Sequence, residues 1–208
     1  MVNGILLRVI AVIISAVFVV AVWITTGKFE PSFLQFFSIA VLVCTVLLFV
    51  WDRWAWKLPP FQKIPAVTRD ISGTWETTLE SLWIDPETGK SPDPKIVYLV
   101  IRQTSSNATV TLISNESTSK SSLARLVQED GSWLLHYLYT NEPRVDLRKR
   151  SPIHHGSGVL SIVGNPVKRI TGSYWTDRDS KGKLSLLRRT TKHAEDFEEG
   201  IELFSTRK

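Results

Sequence analysis

The sequence holds one cysteine among 208 residues, Cys44, and it sits inside an apolar run. A disulfide framework or a cysteine-built zinc site within one chain is thereby excluded. Histidine is also scarce: none of the four (His136, His154, His155, His193) stands at HExxH spacing, so no metal site is expected. Gly89-Lys90-Ser91 has the ending of a phosphate-binding loop, but the glycine needed five residues earlier is Ile84. Gly156-Ser157-Gly158 lacks the Gly-x-Ser-x-Gly frame of a nucleophile elbow. Acids are sparse in the candidate strands, and no obvious carboxylate pair stands out. The expectation is a protein that is not an enzyme, with no catalytic residues and no cofactor.

Charge is nearly missing from the first quarter of the chain. Residues 1–52 carry only Arg8, Lys28, Glu30 and Asp52, so the net charge of +5 falls on residues 53–208. Residues 9–27 and 31–51 are free of charge, and at 1.5 Å per residue each run reaches about 30 Å, the thickness of a bilayer's hydrocarbon core. Two N-terminal transmembrane α-helices are expected, an anchor over residues 1–55. The first run is too long for a signal-peptide core and ends in Trp23-Ile-Thr-Thr-Gly27, not in small residues. The four residues Lys28-Phe-Glu-Pro31 leave room only for a tight hairpin. Arg8 precedes the first span, and Arg53, Lys57, Lys63 and Arg69 follow the second. Positive-inside bias therefore puts both termini, and everything after the spans, in the cytoplasm. Trp51, Trp54 and Trp56 suit an interfacial belt beside those cations.

A linker over residues 56–69, stiffened by three prolines, leads into repeated β-type alternation. In the first strand Trp75, Thr77, Leu79, Ser81 and Trp83 share one face, read as core for the two tryptophans. Further strands are expected at 95–104, 108–114, 119–127, 132–140, 158–163, 168–175 and 183–189, separated by turn signals such as Glu129-Asp-Gly131 and Gly164-Asn-Pro166. Eight short strands with mostly tight connections predict an all-β domain over residues 70–192, an up-and-down antiparallel β-barrel able to hold one small ligand; a two-sheet sandwich is the alternative. Residues 193–208 read as an acidic, solvated C-terminal segment.

What is present looks like recognition. Residues 144–192 hold 12 Lys/Arg against 3 acids. Tyr137, Tyr139, Asn141, Ser151, His154, Tyr174, Trp175 and Thr176 lie among or just before them. Cations neutralise phosphates and aromatic faces stack on bases, while the same composition equally suits a solvated loop or contact with anionic lipid headgroups. Arg102, ending a strand otherwise apolar on both faces, reads as an inward arginine in need of an anionic partner.

Two short N-terminal helices lead into Ile71-Ser-Gly-Thr-Trp75. Ser81-Leu-Trp83, Val100-Ile-Arg-Gln-Thr104, Ser117-Thr-Ser119 and Tyr137-Leu-Tyr-Thr-Asn-Glu-Pro143 follow, then Arg150-Ser-Pro-Ile-His-His-Gly156 and Gly172-Ser-Tyr-Trp-Thr-Asp-Arg178. This order of motifs resembles the two-transmembrane, β-strand-rich effectors of bacterial cyclic-oligonucleotide-based antiphage signalling (CBASS), the CD-NTase-associated membrane effectors. The resemblance implies a β-barrel receptor for a cyclic dinucleotide made by a partner CD-NTase nucleotidyltransferase. It also implies homo-oligomerisation on binding and disruption of the inner-membrane bilayer, with abortive infection as the outcome and no DNA or RNA polymer as partner. By motif, the ligand-binding residues it implies are Arg102, Gln103, Ser117, Ser119, Tyr139, Asn141, Arg150, Ser151, His154, Tyr174, Thr176 and Arg178. The rival reading is a membrane-anchored lipocalin-like carrier of a small apolar ligand, suggested by Gly73-Thr74-Trp75 and by Arg188 or Arg189 near the end. A third is a membrane scaffold whose basic face binds anionic lipid.

Overall fold

Alternation along the second half of the chain becomes eight antiparallel strands. They are β1 (Gly73–Ser81), β2 (Lys95–Gln103), β3 (Ala108–Ile113), β4 (Ser117–Glu129), β5 (Ser132–Pro143), β6 (His154–Val163), β7 (Arg169–Thr176) and β8 (Lys181–Thr190). Each pairs with the next, and β1 pairs with β8, so the sheet closes into an up-and-down barrel without free edges. The sandwich alternative is excluded. The structure is a computed structural model that describes residues 12, 14–20, 22–24, 27, 31–86 and 88–205, and the chain forms two units, Met1–Trp56 and Lys57–Lys208.

Inside the barrel one half is dry. Trp75, Leu99, Ile101, Val110, Trp133, Leu135, Leu160, Ile162, Ile170 and Leu184 form a buried cluster. The β4–β5 hairpin turns on Asp130 and Gly131, both at positive φ, as a two-residue turn between right-twisted strands requires. Gly73 opens β1 at φ +119 with the Thr190 carbonyl so near that a Cβ would lie 2.1 Å from its oxygen. Only glycine lets β1 start that close to β8.

The structure departs most from the sequence expectation at three places. β1 ends at Ser81, so Trp83 lies beyond it and is 42% exposed, while Trp75 is core at 4%. β5 runs on to Pro143 and β6 begins at His154, so the expected gap between residues 140 and 158 shrinks to a loop that holds one helical turn (Val145–Leu147). Finally, the acidic C-terminal segment is a helix, Phe197–Ser205, with its first turn capped by the Asp196 side chain accepting from the Glu199 N–H at 2.8 Å. The helix is not free in solvent. Phe197 and Phe204 lie 5.4 and 5.8 Å from the Tyr98 ring, over the outer face of β2. The reason lies in β2 itself, whose outward residues Tyr98 and Val100 are as apolar as its inward ones and must be covered.

The end of the barrel opposite β1's exit is sealed by the residues that precede β1. Trp75 donates its indole N–H to the Ile71 carbonyl (2.9 Å), and the Arg189 guanidinium lies 5.6 Å over the same indole. Arg189 also donates to the Ser72 and Asp70 carbonyls (2.8 and 3.0 Å) and to the Asp70 carboxylate (2.7 Å). Burial by itself would raise the pKa of Asp70. The Ser72 hydroxyl, Arg189 and Lys57 together outweigh it and hold the carboxyl below its ordinary value. A carboxyl depressed in the folded state contributes stability above the unfolded pKa of about 3.9, and that contribution disappears as pH falls through the folded value. Thermal scans from pH 6 down to pH 2 should show the wild-type barrel losing melting temperature below about pH 4, with a shallower loss in Asp70→Asn. Parallel curves would mean that the closed end does not feel this carboxylate.

In the first unit, residues 14–20, 22–24 and Pro31–Arg53 are helical. Among the described residues no helix is long and apolar enough to cross a membrane. Arg8, Lys28 and Glu30, used above for topology, lie outside the described residues.

Candidate functional site

At the other end of the barrel the inward side chains change character. Along β5 the inward positions read Trp133, Leu135, Tyr137, Tyr139 and Asn141, apolar at one end and polar at the other. A cavity of about 710 Å³ opens there, within the range usual for small-ligand sites. Tyr137, Tyr139 and Tyr174 line it, and the first two rings are 5.8 Å apart.

Three tyrosines can stand abreast because glycines face them across the ladder. Tyr139 pairs with Gly156, Tyr137 with Gly158, and Tyr174 with both Gly158 and Gly182. A Cβ on Gly156 would lie 2.5 Å from the Tyr139 ring, and one on Gly158 would lie 2.4 Å from Tyr137. The Gly-Ser-Gly segment that fails as a nucleophile elbow is thus the seat for the rings. Burial raises the pKa of all three phenols, with neighbouring phenols adding to the shift for Tyr137 and Tyr139, so the hydroxyls stay protonated and able to donate.

Ten of the twelve residues expected from sequence meet at this cavity. Ser117 and Ser119 come from β4, and Tyr139 and Asn141 from β5. Arg150 and Ser151 come from the loop after β5, His154 from β6, and Tyr174, Thr176 and Arg178 from β7 and the turn beyond it. Ser119 donates to the Asn141 side-chain carbonyl at 2.8 Å. Thr176 and Ser180 hydroxyls are 2.8 Å apart. Arg178 donates to the Ser151 hydroxyl at 2.9 Å, and its guanidinium lies 3.3 Å from His154 Nδ1.

Arg102 and Gln103 are not there. Leu99 and Ile101 face inward, so Arg102, one residue on, points out of the barrel and is exposed. The inward arginine expected at this strand end is corrected by that parity. Gln103 sits at the sealed end, where its side chain accepts from the Ile71 N–H (3.0 Å) and donates to the Arg69 carbonyl (2.8 Å), fastening the chain before β1.

Three charged residues at the mouth escaped the sequence reading, Asp93, Lys95 and Glu116. Lys95 opens β2 on the same parity as inward Val97 and Leu99, a signal that was available. Glu116, in the turn between β3 and β4, carried none. Lys95 Nζ donates to Glu116 at 3.0 Å, and Arg150 reaches the other oxygen of that carboxylate at 3.5 Å. The Lys95 hydrogen bond and charge, aided by Arg150, hold the Glu116 carboxyl below its ordinary value despite partial burial. The mouth thus gathers three cations, Lys95, Arg150 and Arg178, around hydroxyl and amide groups above an aromatic floor. Such a lining can neutralise phosphates, stack flat rings and bond polar ring edges. Among the described residues no cluster of His, Asp and Glu could hold a metal ion.

The family model described as the Cap15 cyclic dinucleotide receptor domain matches residues 65–188, which take in the barrel through most of β8. The chain belongs to the Cap15 family. CD-NTase-associated protein 15 of Staphylococcus schleiferi is 31% identical over 169 residues, covering 81% of this chain and 87% of that protein. The match to Cap15 bears out the resemblance to CBASS effectors drawn from the motif order. Lys95, Glu116 and the three tyrosines all fall inside the matched segment, whereas the C-terminal helix lies beyond it.

Proposed function

We propose that this chain is a membrane effector of antiphage defence whose barrel mouth binds a cyclic dinucleotide supplied by a partner nucleotidyltransferase. Binding makes the protein oligomerise and breach the inner membrane, ending the infected cell. The observation that carries this reading is the cavity itself: cations, hydroxyls and three phenol rings converge at the open end of a barrel that belongs to a cyclic dinucleotide receptor family. Two phosphates ask for cations and two bases ask for flat faces and polar edges, and the mouth supplies both. A membrane role is supported by the helix Pro31–Arg53, along which Ile39, Leu42, Val46, Leu47, Leu48 and Phe49 are all exposed. A helix that shows apolar side chains on every face is suited to lipid rather than water. The basic flanks support a topology with both termini and the barrel on the cytoplasmic side of a two-span anchor.

The lipocalin-like carrier also has an observation in its favour, Arg189 lying over Trp75 at the sealed end; Arg188 is instead paired with Glu76 at 2.6 Å. An apolar cargo, however, would strand the mouth's charges and hydroxyls without partners. The two readings separate in one experiment. Full-length protein in detergent is titrated with cyclic di-AMP, cyclic di-GMP, cyclic di-UMP and 3′,3′-cyclic GMP-AMP, and in parallel with a fatty acid. At 100 times its dissociation constant the true ligand stabilises the folded state by about 2.7 kcal/mol, a shift of several degrees in Tm. It should also convert the protein to a larger species by light scattering and release dye from liposomes carrying it. A Tm raised by the fatty acid alone would favour the carrier. A cyclic dinucleotide that binds without any change of size or leakage would remove the proposed mode of killing.

A further inference from the structure

Glu116 is an anion placed where the proposed ligand would bring one. Its carboxylate spans Lys95 at the start of β2 and Arg150 in the loop after β5, at 3.0 and 3.5 Å. These two cations come from distant parts of the chain and, among the described residues, share no other carboxylate, while the third cation of the mouth, Arg178, engages Ser151 and His154 instead. The Glu116 side chain is 43% exposed, so the pair with Lys95 is an open one that a stronger anion can enter. Its backbone is fixed independently of those cations. The Glu116 N–H donates to Ser114 Oγ at 3.2 Å, and the Glu116 carbonyl accepts from the Arg144 N–H at 2.9 Å.

We propose that Lys95 and Arg150 form a phosphate subsite and that Glu116 occupies it until the ligand's phosphate displaces the carboxylate. The inference rests on the receptor reading and adds to it a named subsite and a built-in competitor. A phosphodiester oxygen takes the position of each Glu116 oxygen, and the carboxylate turns out to water, where solvation compensates for the lost pairs. Exposed ion pairs are weak, so the exchange is cheap, yet the carboxylate's negative charge opposes every anion that approaches. Glu116 therefore raises the concentration of messenger needed to engage the mouth. A receptor whose activation would kill its own cell is kept silent at background levels by such a residue.

Glu116→Gln keeps the shape and removes the charge. Calorimetric titration of full-length protein with the four cyclic dinucleotides named above should give binding about 3- to 10-fold tighter in Glu116→Gln than in wild type, and about 10-fold weaker in Lys95→Gln. Inorganic pyrophosphate, which carries no base, should follow the same order by ³¹P line broadening. All these side chains are exposed or half-exposed, and unchanged circular dichroism spectra will show that each variant folds. Equal or weaker anion binding by Glu116→Gln would overturn the competitor, leaving Glu116 as a group that positions the two cations. Unaltered binding in Lys95→Gln would overturn the subsite. Should pyrophosphate follow the expected order while no cyclic dinucleotide binds wild type, the subsite stands and the receptor reading fails.

Discussion

Replacing Arg178 by alanine is expected to weaken binding of the cognate cyclic dinucleotide by about 10- to 150-fold, the loss typical of a charge-assisted hydrogen bond of about 1.5–3 kcal/mol. Arg178 is held at the cavity by the Ser151 hydroxyl and lies beside His154, so its guanidinium is already aimed before a ligand arrives. Preorganised donors lose little entropy on binding, which is why this cation should matter more than a mobile one. The comparison variant is Arg102→Ala. Arg102 ends a strand one residue past inward Ile101 and is exposed on the outside, so its loss should leave affinity within about twofold. Calorimetry on the full-length pair, with circular dichroism to verify folding, decides the matter. Normal binding by Arg178→Ala would take that cation out of the site. Lost binding by Arg102→Ala would mean that the ligand reaches the outer surface of β2.

Trp75→Ala should destabilise the barrel by about 3–5 kcal/mol, a large share of the 5–15 kcal/mol on which most domains depend. The indole is 4% exposed, packs in the dry half of the barrel, donates to Ile71 and carries Arg189 over its face. Removing it opens a cavity and takes away the surface on which Arg189 rests. Trp83→Ala should change stability by no more than about 0.5 kcal/mol, because that side chain lies beyond β1 and is 42% exposed. Urea unfolding followed by far-ultraviolet circular dichroism at 220 nm, where strand loss is read, separates the two. A marginal effect at Trp75 would show that the closed end is sealed by the polypeptide before β1 and not by the indole.

The eight strands were legible because a half-buried strand writes its geometry into the sequence. Alternation of period two set the faces, and Glu129-Asp-Gly131 marked a turn whose positive φ values few other residues tolerate. The same parity correctly grouped Tyr137, Tyr139 and Asn141, and a motif order matched to a family brought ten residues to one cavity. Where that logic met the end of a strand it had nothing left to count. Trp83 has core parity, but β1 stops at Ser81, and a residue past the last ladder bond no longer obeys the pleat. Arg102 looked like a charge needing burial because β2 is apolar on both faces. Only the folded chain shows that the second apolar face is covered by Phe197 and Phe204 of the C-terminal helix and that Arg102 stays in solvent.

By itself, then, the sequence determined the eight antiparallel strands, their succession along the chain and the aromatic, hydroxyl-rich character of the mouth, since each follows from local periodicity or from residues near one another in the chain. Tertiary structure alone decided which arginine of the Arg188–Arg189 pair seals the barrel, because a bulge in the β1–β8 pairing shifts the register there. It alone joined Lys95, Glu116 and Arg150, three residues from a strand and two connections whose charges meet only when β2, β3, β4 and β5 pair in register. Closure is a property of all eight strands at once, and no window of sequence contains it.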